Sequence, residues 1–366
     1  MPSTNDAKKQ LDVIIKKARV HLYKPIQIAE ILHFHRNAPT HFQLQDLESY
    51  RNRSKRWRDE VTYKLVGRNC TSSAKFQDNI FDSNAMPPAL IALLGEENEK
   101  KDRAGIVEAY IYKSLGQRLG SLKTLADYVR KAKPETFSLS HFLNQFQKDP
   151  GLKRSVDKAY EITVYALFAT LVRYLNAEIT ISIANSDSDL IKDFEDFTQI
   201  VLGVTSKNTK IIFPAKLYRV GVTNAADRGL DMWANFGPAI QVKHISLTDD
   251  GAEEIVDQLS ADKILIVCKD TEKKVIDSVV KQIGYGARVK GIITQSDLER
   301  WYAKCFSSKH RTKLGDSLLR DLYCEFIAEF PAIGDVLDEF IKEREYDKIE
   351  MKGIFSGKLS GSIELS

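Results

Sequence analysis

Apolar positions in the first third of the chain recur at helical spacing. Leu11, Ile14, Ile15 and Ala18 predict one helix, and Ile26, Ala29, Ile31 and Leu32 predict a second after Pro25. A third helix is expected from about Leu47 to Leu65. The run from Gly67 to Asn79, rich in Ser, Thr and Asn, predicts a loop. Another helix is expected from Pro87 to Leu94, the charged stretch Glu96 to Arg103 as a solvated connection, and helix again to about Val129. Lys131 to Pro134 and Asp149 to Gly151 are the best places for a boundary.

From Leu152 the pattern changes. A long apolar helix, about Ser155 to Leu175, leads into an alternating strand, Ala177 to Ile183, and a helix near Leu190 to Val201. Three strand-like segments follow closely: Lys216 to Val222, Leu230 to Phe236 and Ala239 to Ile245. Helix (Ala252 to Leu259), strand (Ile264 to Cys268), helix (Glu272 to Ile283), strand (Val289 to Thr294) and helix (Ser296 to Cys305) complete the series. Strands that first pair as neighbours and then alternate with helices predict a mixed sheet with helices on both faces. The expected class is α/β in the broad sense, α+β in detail. A mostly helical region, 1–133, precedes a mixed-sheet core, 150–306. Residues 307–366 extend it with helices and a hairpin-like segment, Ile349 to Leu365.

Composition excludes several classes. With 28% charged and 43% hydrophobic residues among 366, the chain is ordinary globular material of about two domains. The longest uncharged apolar run, Ile162 to Val172, falls well short of the ~20 residues a bilayer span needs. The opening MPSTNDAKKQ lacks the apolar core of a secretory signal. Cys70, Cys268, Cys305 and Cys324 form no C-x-x-C pair, so neither a zinc ribbon nor a disulfide scaffold is expected. A cytoplasmic location fits. Net charge is only +4, but residues 1–68 hold fourteen Lys/Arg against seven Asp/Glu, and residues 307–366 hold nine against twelve. The cationic excess is therefore N-terminal, which suits a polyanionic partner.

The passage with most chemistry is Gly221 to Ser246. Along a strand, Asp231, Trp233 and Asn235 share one side and Leu230, Met232 and Ala234 the other. In the next strand Gln241 and Lys243 share a face. Joined through Gly237-Pro238, the two strands bring Asp231, Gln241 and Lys243 together at a sheet edge. Mg²⁺ takes oxygen ligands and keeps several waters, so one carboxylate plus an amide or main-chain carbonyl (Val242) suffices to hold it beside a phosphate. The lysine then positions a water and offsets charge on phosphoryl oxygens. The ordinary alternative is a hairpin with a solvated polar face. Glu161, just ahead of the apolar run, is a further candidate ligand; its alternative is a first-turn glutamate favoured by the helix dipole.

Helix with glutamate, strand, Asp-bearing strand, x-x-Lys strand, helix and strand together resemble the PD-(D/E)xK nuclease superfamily. Asp231 matches its aspartate, Gln241 its second acidic position and Lys243 its lysine. Gln241 departs from the usual Glu or Asp; Gly229-Leu230-Asp231 followed by Gln241-Val242-Lys243 resembles the Q-x-K version found in Mrr-like nucleases. Over about two-thirds of its length the chain also resembles the HaeII-type restriction endonucleases, through Leu22–Leu32, Asp46–Thr62, Thr71–Phe81 and Asp227–His244. That resemblance implies a Type II enzyme cutting double-stranded DNA at a short palindrome with a GCGC core (RGCGCY-like). It also implies a companion methyltransferase. Two symmetric active sites on a palindrome imply a homodimer. The rival readings are an Mrr-like modification-dependent nuclease and a DNA-binding protein on a nuclease-like fold without cleavage.

The N-terminal charge has a focus. Arg51, Arg53, Lys55, Arg56 and Arg58 lie within eight residues, and on a helix Arg51, Lys55 and Arg58 line one side, suited to successive phosphates. Arg68, Asn69, Ser72, Ser73, Lys75 and Gln77 in the following loop suit base edges. The alternative is a solvated basic face and a polar loop. His33, His35 and His41 do not form a metal site at helical spacing, and His244 is expected in the core. Gly284, Gly286 and Gly291 precede a strand, so they fit a dinucleotide loop poorly. No Walker loop or G-x-S-x-G elbow is present.

Overall fold

Ser3 starts the first helix with a reciprocal cap: its Oγ accepts from the Asp6 N–H, and Asp6 Oδ2 accepts from the Ser3 N–H. The computed structural model describes residues 2–18, 23–38, 42–67, 81, 86–185, 187–220, 230–243, 263–282, 288–331 and 335–356. These fall into two units. One takes the residues up to Ile162 and from Tyr323 onward, the other most of those from Thr163 to Leu322. The division falls inside a helix, Val156–Tyr174.

The first unit is helical, as the apolar spacing predicts. Its elements are α1 (Thr4–Lys17), α2 (Tyr23–Asn37), α3 (Arg51–Val66), α4 (Pro88–Asn98), α5 (Ile106–Lys131), α6 (Leu139–Lys148) and the start of α7 (Val156–Tyr174). Glu108 and Glu30 are among the carboxylates buried in its interior. Glu108 on α5 accepts from Asn98 Nδ2 (2.6 Å), Tyr346 Oη (2.7 Å) and Arg36 Nε (2.9 Å), and lies 3.0 Å from His33 Nδ1. Burial pushes its carboxyl up, but the hydrogen bonds from His33 and Arg36 outweigh that and hold it at about 2. Glu30 on α2 accepts from Tyr112 Oη at 2.5 Å and Arg344 Nη2 at 3.1 Å. Residues 344–346 thus complete this unit. The expected C-terminal hairpin is absent as far as Ser356: Tyr346–Lys348 and Gly353–Phe355 are short 3-10 turns, and residues 357–366 lie outside the described set.

The second unit carries two sheets. β1 (Glu178–Ser182) and β2 (Lys210–Pro214) pair antiparallel. Between them in sequence lies α8 (Ser188–Asp193), continued by further helical turns to Leu202. The five-stranded sheet is ordered β3 (Leu217–Arg219), β4 (Met232–Ala234), β5 (Pro238–Lys243), β6 (Lys263–Cys268), β7 (Val289–Thr294). β3, β4 and β5 pair antiparallel, and β5, β6 and β7 pair parallel, the mixed sheet expected. Ile264 and Ile266 on one side of β6 and Val267 on the other are all buried, so both faces of the sheet are covered there. α9 (Lys273–Gln282) connects β6 to β7, and α10 (Gln295–Phe306) follows. Tyr302 on α10 donates through its Oη to the Thr163 carbonyl of α7 (2.9 Å). α11 (Asp316–Glu329) and α12 (Val336–Glu343) end the helical series. The helix expected over Ala252 to Leu259 lies outside the described residues.

Candidate active site

The β4–β5 hairpin builds the site. Its turn ends at Gly237, whose φ of +114° is open to glycine and costly for other residues. Asn235 braces the same turn: its Oδ1 accepts from the Lys216 N–H at 2.8 Å and its Nδ2 donates to the Pro214 carbonyl at 3.2 Å. In the register that follows, Met232 faces Ile240 and Trp233 faces Ala239. One step on, Asp231 stands opposite Gln241, so the two share a face of the sheet.

At that point a side chain replaces the ladder. Asp231 Oδ2 accepts from the Val242 N–H at 2.8 Å, while the Asp231 carbonyl accepts from Val220 N–H at 2.9 Å. The carboxylate is therefore fixed against β5 beside Gln241. Gln241 itself is 2% exposed, and its Oε1 has no hydrogen-bond partner among the described residues. An unmet buried amide oxygen costs about 1–3 kcal/mol. An oxygen-seeking cation beside the Asp231 carboxylate would satisfy it, so the donor set fits Mg²⁺. Lys243 ends β5 opposite Cys268 of β6, two residues beyond Gln241.

The Asp231 face continues outward through Trp233, which stacks on Tyr218 of β3 (centroids 4.4 Å apart, planes at 19°), and both rings are exposed. Alternation along β4 places Trp233 here; Tyr218 lies in the strand expected over Lys216 to Val222, but no local pattern marks it as the partner of Trp233.

Glu161 is buried in α7, and both its oxygens accept from Lys158 Nζ (2.7 and 2.6 Å). Among the described residues no group of three or more His, Cys, Asp or Glu side chains could hold a metal ion. A set of one carboxylate, one amide oxygen and a main-chain carbonyl is not such a group. His33 bonds Glu108 and His35 bonds Glu99, whereas His41 and His244 lie outside the described residues. Burial pushes the Cys268 thiol up to about 12 and the Cys305 thiol to about 11, so neither is poised as a nucleophile.

The basic helix α3 is turned differently from expectation. Its inward stripe is Ser54, Arg58, Val61 and Leu65, fixed by the apolar residues of its second half. Arg58, expected on the phosphate-facing side, is 2% exposed; it donates to Gln27 Oε1 (3.0 Å) and to Asp59 Oδ1 (2.7 and 2.9 Å). Gln27 in turn donates to Ser54 Oγ at 3.0 Å, closing a buried polar network between α2 and α3. Arg58 is thereby committed to the fold. Arg51 and Lys55 are half-buried, Arg51 beside Glu48 at 3.2 Å. Arg53 and Arg56 are exposed, Arg53 lying over the rings of Phe42 and Trp57 while donating to the Ser49 carbonyl. The loop candidates Arg68, Asn69, Ser72, Ser73, Lys75 and Gln77 lie outside the described residues.

No described helix is long and apolar enough to cross a membrane. No solved structure matches the chain. Among curated proteins, the chain is 50% identical over 344 residues to the Type II restriction enzyme HaeII of Haemophilus aegyptius, covering 93% of this chain and 97% of that protein. It is 48% identical over 343 residues to the Type II restriction enzyme NgoBI of Neisseria gonorrhoeae, covering 93% and 96%. The profile of the HaeII restriction endonuclease family matches residues 7–346. With the match spanning both units, the chain belongs to the HaeII restriction endonuclease family.

Proposed function

We propose that this chain is a Mg²⁺-dependent Type II restriction endonuclease that hydrolyses a phosphodiester in each strand of a short palindrome, with a GCGC core of RGCGCY type. The observation that carries the reading is the pinned Asp231 carboxylate opposite a buried Gln241 whose Oε1 lacks a partner. Asp231, Gln241 and the Val242 carbonyl would hold the cation, with Glu161 as an assisting carboxylate. When bound, Mg²⁺ withdraws charge from the scissile phosphate and eases ionisation of water. Asp231 is held in place before substrate arrives, because the Val242 N–H fixes its angle. Lys243 positions the attacking water in line with the leaving oxygen and offsets the charge that grows on the phosphoryl oxygens. Trp233 and Tyr218 present a flat apolar surface beside it for a sugar or an unstacked base. Arg51, Arg53, Lys55 and Arg56 would contact phosphates, and the loop from Arg68 to Gln77 base edges.

Two-fold DNA implies a homodimer, and a host that keeps such an enzyme needs a companion methyltransferase. A digest of plasmid with Mg²⁺ or EDTA tests the reading, on methylated and unmethylated DNA. Discrete fragments that vanish with EDTA support it, and their ends give the sequence. Cleavage of methylated DNA alone would favour the modification-dependent reading. Binding without cleavage under any metal would leave a DNA-binding protein, the reading that the neutral Gln241 keeps open.

A further inference from the structure

β4 has one inward side and one outward side. Met232 and Ala234 are buried, while Trp233 between them is 43% exposed. Its cross-strand partner on β3 is Tyr218, itself 39% exposed, with the ring centroids 4.4 Å apart and the planes at 19°. Each ring gives one face to the other, so the open parts are the outer faces and edges. On the β5 side the cross-strand neighbour of Trp233 is Ala239, whose methyl group cannot cover an indole. Rings of this size bury about 150–250 Å² each when fully partnered. Two of them left partly open beside a short edge strand suit a partner with flat faces of its own.

The neighbours select that partner. Asp231 precedes Trp233 by two residues on the same side, about 7 Å along the strand. A DNA strand rises about 3.4 Å per nucleotide, so the rings lie within about two nucleotides of a phosphate held at Asp231. Lys216 carries the outward row further. It precedes Tyr218 by two residues and is exposed. Asn235 fixes its main chain, accepting from the Lys216 N–H at 2.8 Å through Oδ1 and donating its own N–H to the Lys216 carbonyl at 3.1 Å. Among the described residues the Lys216 ammonium has no ion-pair partner.

Carboxylate, ring pair and ammonium thus follow one another across one face of the sheet. A cation-held phosphate, a base and a further phosphate recur in that order along a polynucleotide. Rings interleaved with cationic side chains are the usual means of holding unstacked nucleotides. Inside a duplex the flat faces of the bases are covered by their neighbours, and only edges line the grooves. A ring face can therefore meet a base face only after that base has left the stack.

We propose that the Tyr218–Trp233 pair is a nucleotide subsite: a base within about two nucleotides of the scissile phosphate leaves the duplex and stacks on Trp233, while Lys216 takes a neighbouring phosphate. The proposal rests on the Asp231 metal-site reading and deepens it, making local unstacking of the DNA part of cleavage. The chain has three tryptophans, so Trp57→Phe with Trp301→Phe leaves Trp233 as the sole indole reporter. Titrated in EDTA with an intact duplex carrying the site, that indole should be quenched. In Mg²⁺, Trp233→Ala should lower kcat/KM about 5- to 150-fold, the range that base–aromatic stacking supplies. Duplexes lacking one base at each position around the cut complete a double-mutant cycle. At one position the missing base should cost wild type markedly more than it costs Trp233→Ala. A merely structural role for Trp233, or stacking on a sugar, gives equal costs at every position. Trp233→Phe should keep most of the rate, and Lys216→Gln should reduce the salt slope of DNA binding by about one. Equal costs throughout, or an unquenched indole, overturn the base subsite while wild-type cleavage keeps the nuclease reading. An unchanged salt slope removes Lys216 from the subsite. No cleavage by wild type under any metal overturns the nuclease reading and the subsite with it.

Discussion

Replacing Gln241 by methionine separates what the residue does for folding from what it does for chemistry. The two side chains have similar length and volume, so packing around a position 2% exposed should survive. The change deletes a buried Oε1 that has no partner among the described residues. Relieving an unmet buried acceptor is worth about 1–3 kcal/mol. A domain of this size shifts its melting midpoint by roughly 2–4 °C per kcal/mol. Melted with EDTA, Gln241→Met should therefore unfold several degrees above the wild type. Mg²⁺ acts the other way round. Present at ten times its dissociation constant it should stabilise the wild type by about 1.4 kcal/mol through linkage, and the methionine variant far less. Plasmid cleavage should be lost in the variant. Circular dichroism melts with and without Mg²⁺, paired with a digest, read all three quantities. A variant less stable than wild type in EDTA would mean that the amide serves the fold and not a cation. Equal Mg²⁺ stabilisation of both proteins would remove Gln241 from the metal site.

Four further outcomes follow from the same geometry. Glu108 is held at about 2 against an ordinary value of 4.5, so its contribution is present above pH 4.5 and is lost as pH falls toward 2; in urea titrations, wild-type stability should drop over that window by a few kcal/mol, and Glu108→Gln should flatten the dependence. Arg58→Ala should cost about 2–3 kcal/mol by stranding Gln27 and Asp59. Arg56→Ala should leave stability within about 0.5 kcal/mol but weaken DNA binding and reduce the salt slope by about one in fluorescence anisotropy; equal DNA affinity in wild type and Arg56→Ala would argue against α3 as a phosphate-contacting helix. Glu161→Gln should raise the Mg²⁺ concentration needed for half-maximal cleavage, and an unchanged requirement would remove Glu161 from the site.

Much of the arrangement was readable from the chain because two periodicities dominate it. The stripes in α1, α2 and the long apolar α7 specify helices by themselves, and alternation groups Asp231 with Trp233 on one strand and Gln241 with Lys243 on the next. The register then brings Asp231 and Gln241 opposite each other through Gly237. Less was readable where burial is polar. α3 presents five basic residues in eight, and nothing local marks Arg58 as the one turned inward; its partner Gln27 is thirty-one residues away. β2 gives little local signal, because Lys210–Pro214 follows a polar run and ends in proline. The association of residues after Tyr323 with the N-terminal unit depends on long-range contacts such as Tyr346 with Glu108 and Arg344 with Glu30, which no periodicity announces.

The central claim is that Asp231, Gln241 and Lys243 form a metal-assisted phosphodiester-cleaving site. The most direct measurement is a plasmid digest comparing wild type with Lys243→Ala in Mg²⁺ and in EDTA, alongside binding of the same DNA. Wild type should give discrete fragments with Mg²⁺ only, Lys243→Ala should give none, and both should bind the DNA. Fragments persisting in Lys243→Ala, or in EDTA, would contradict it.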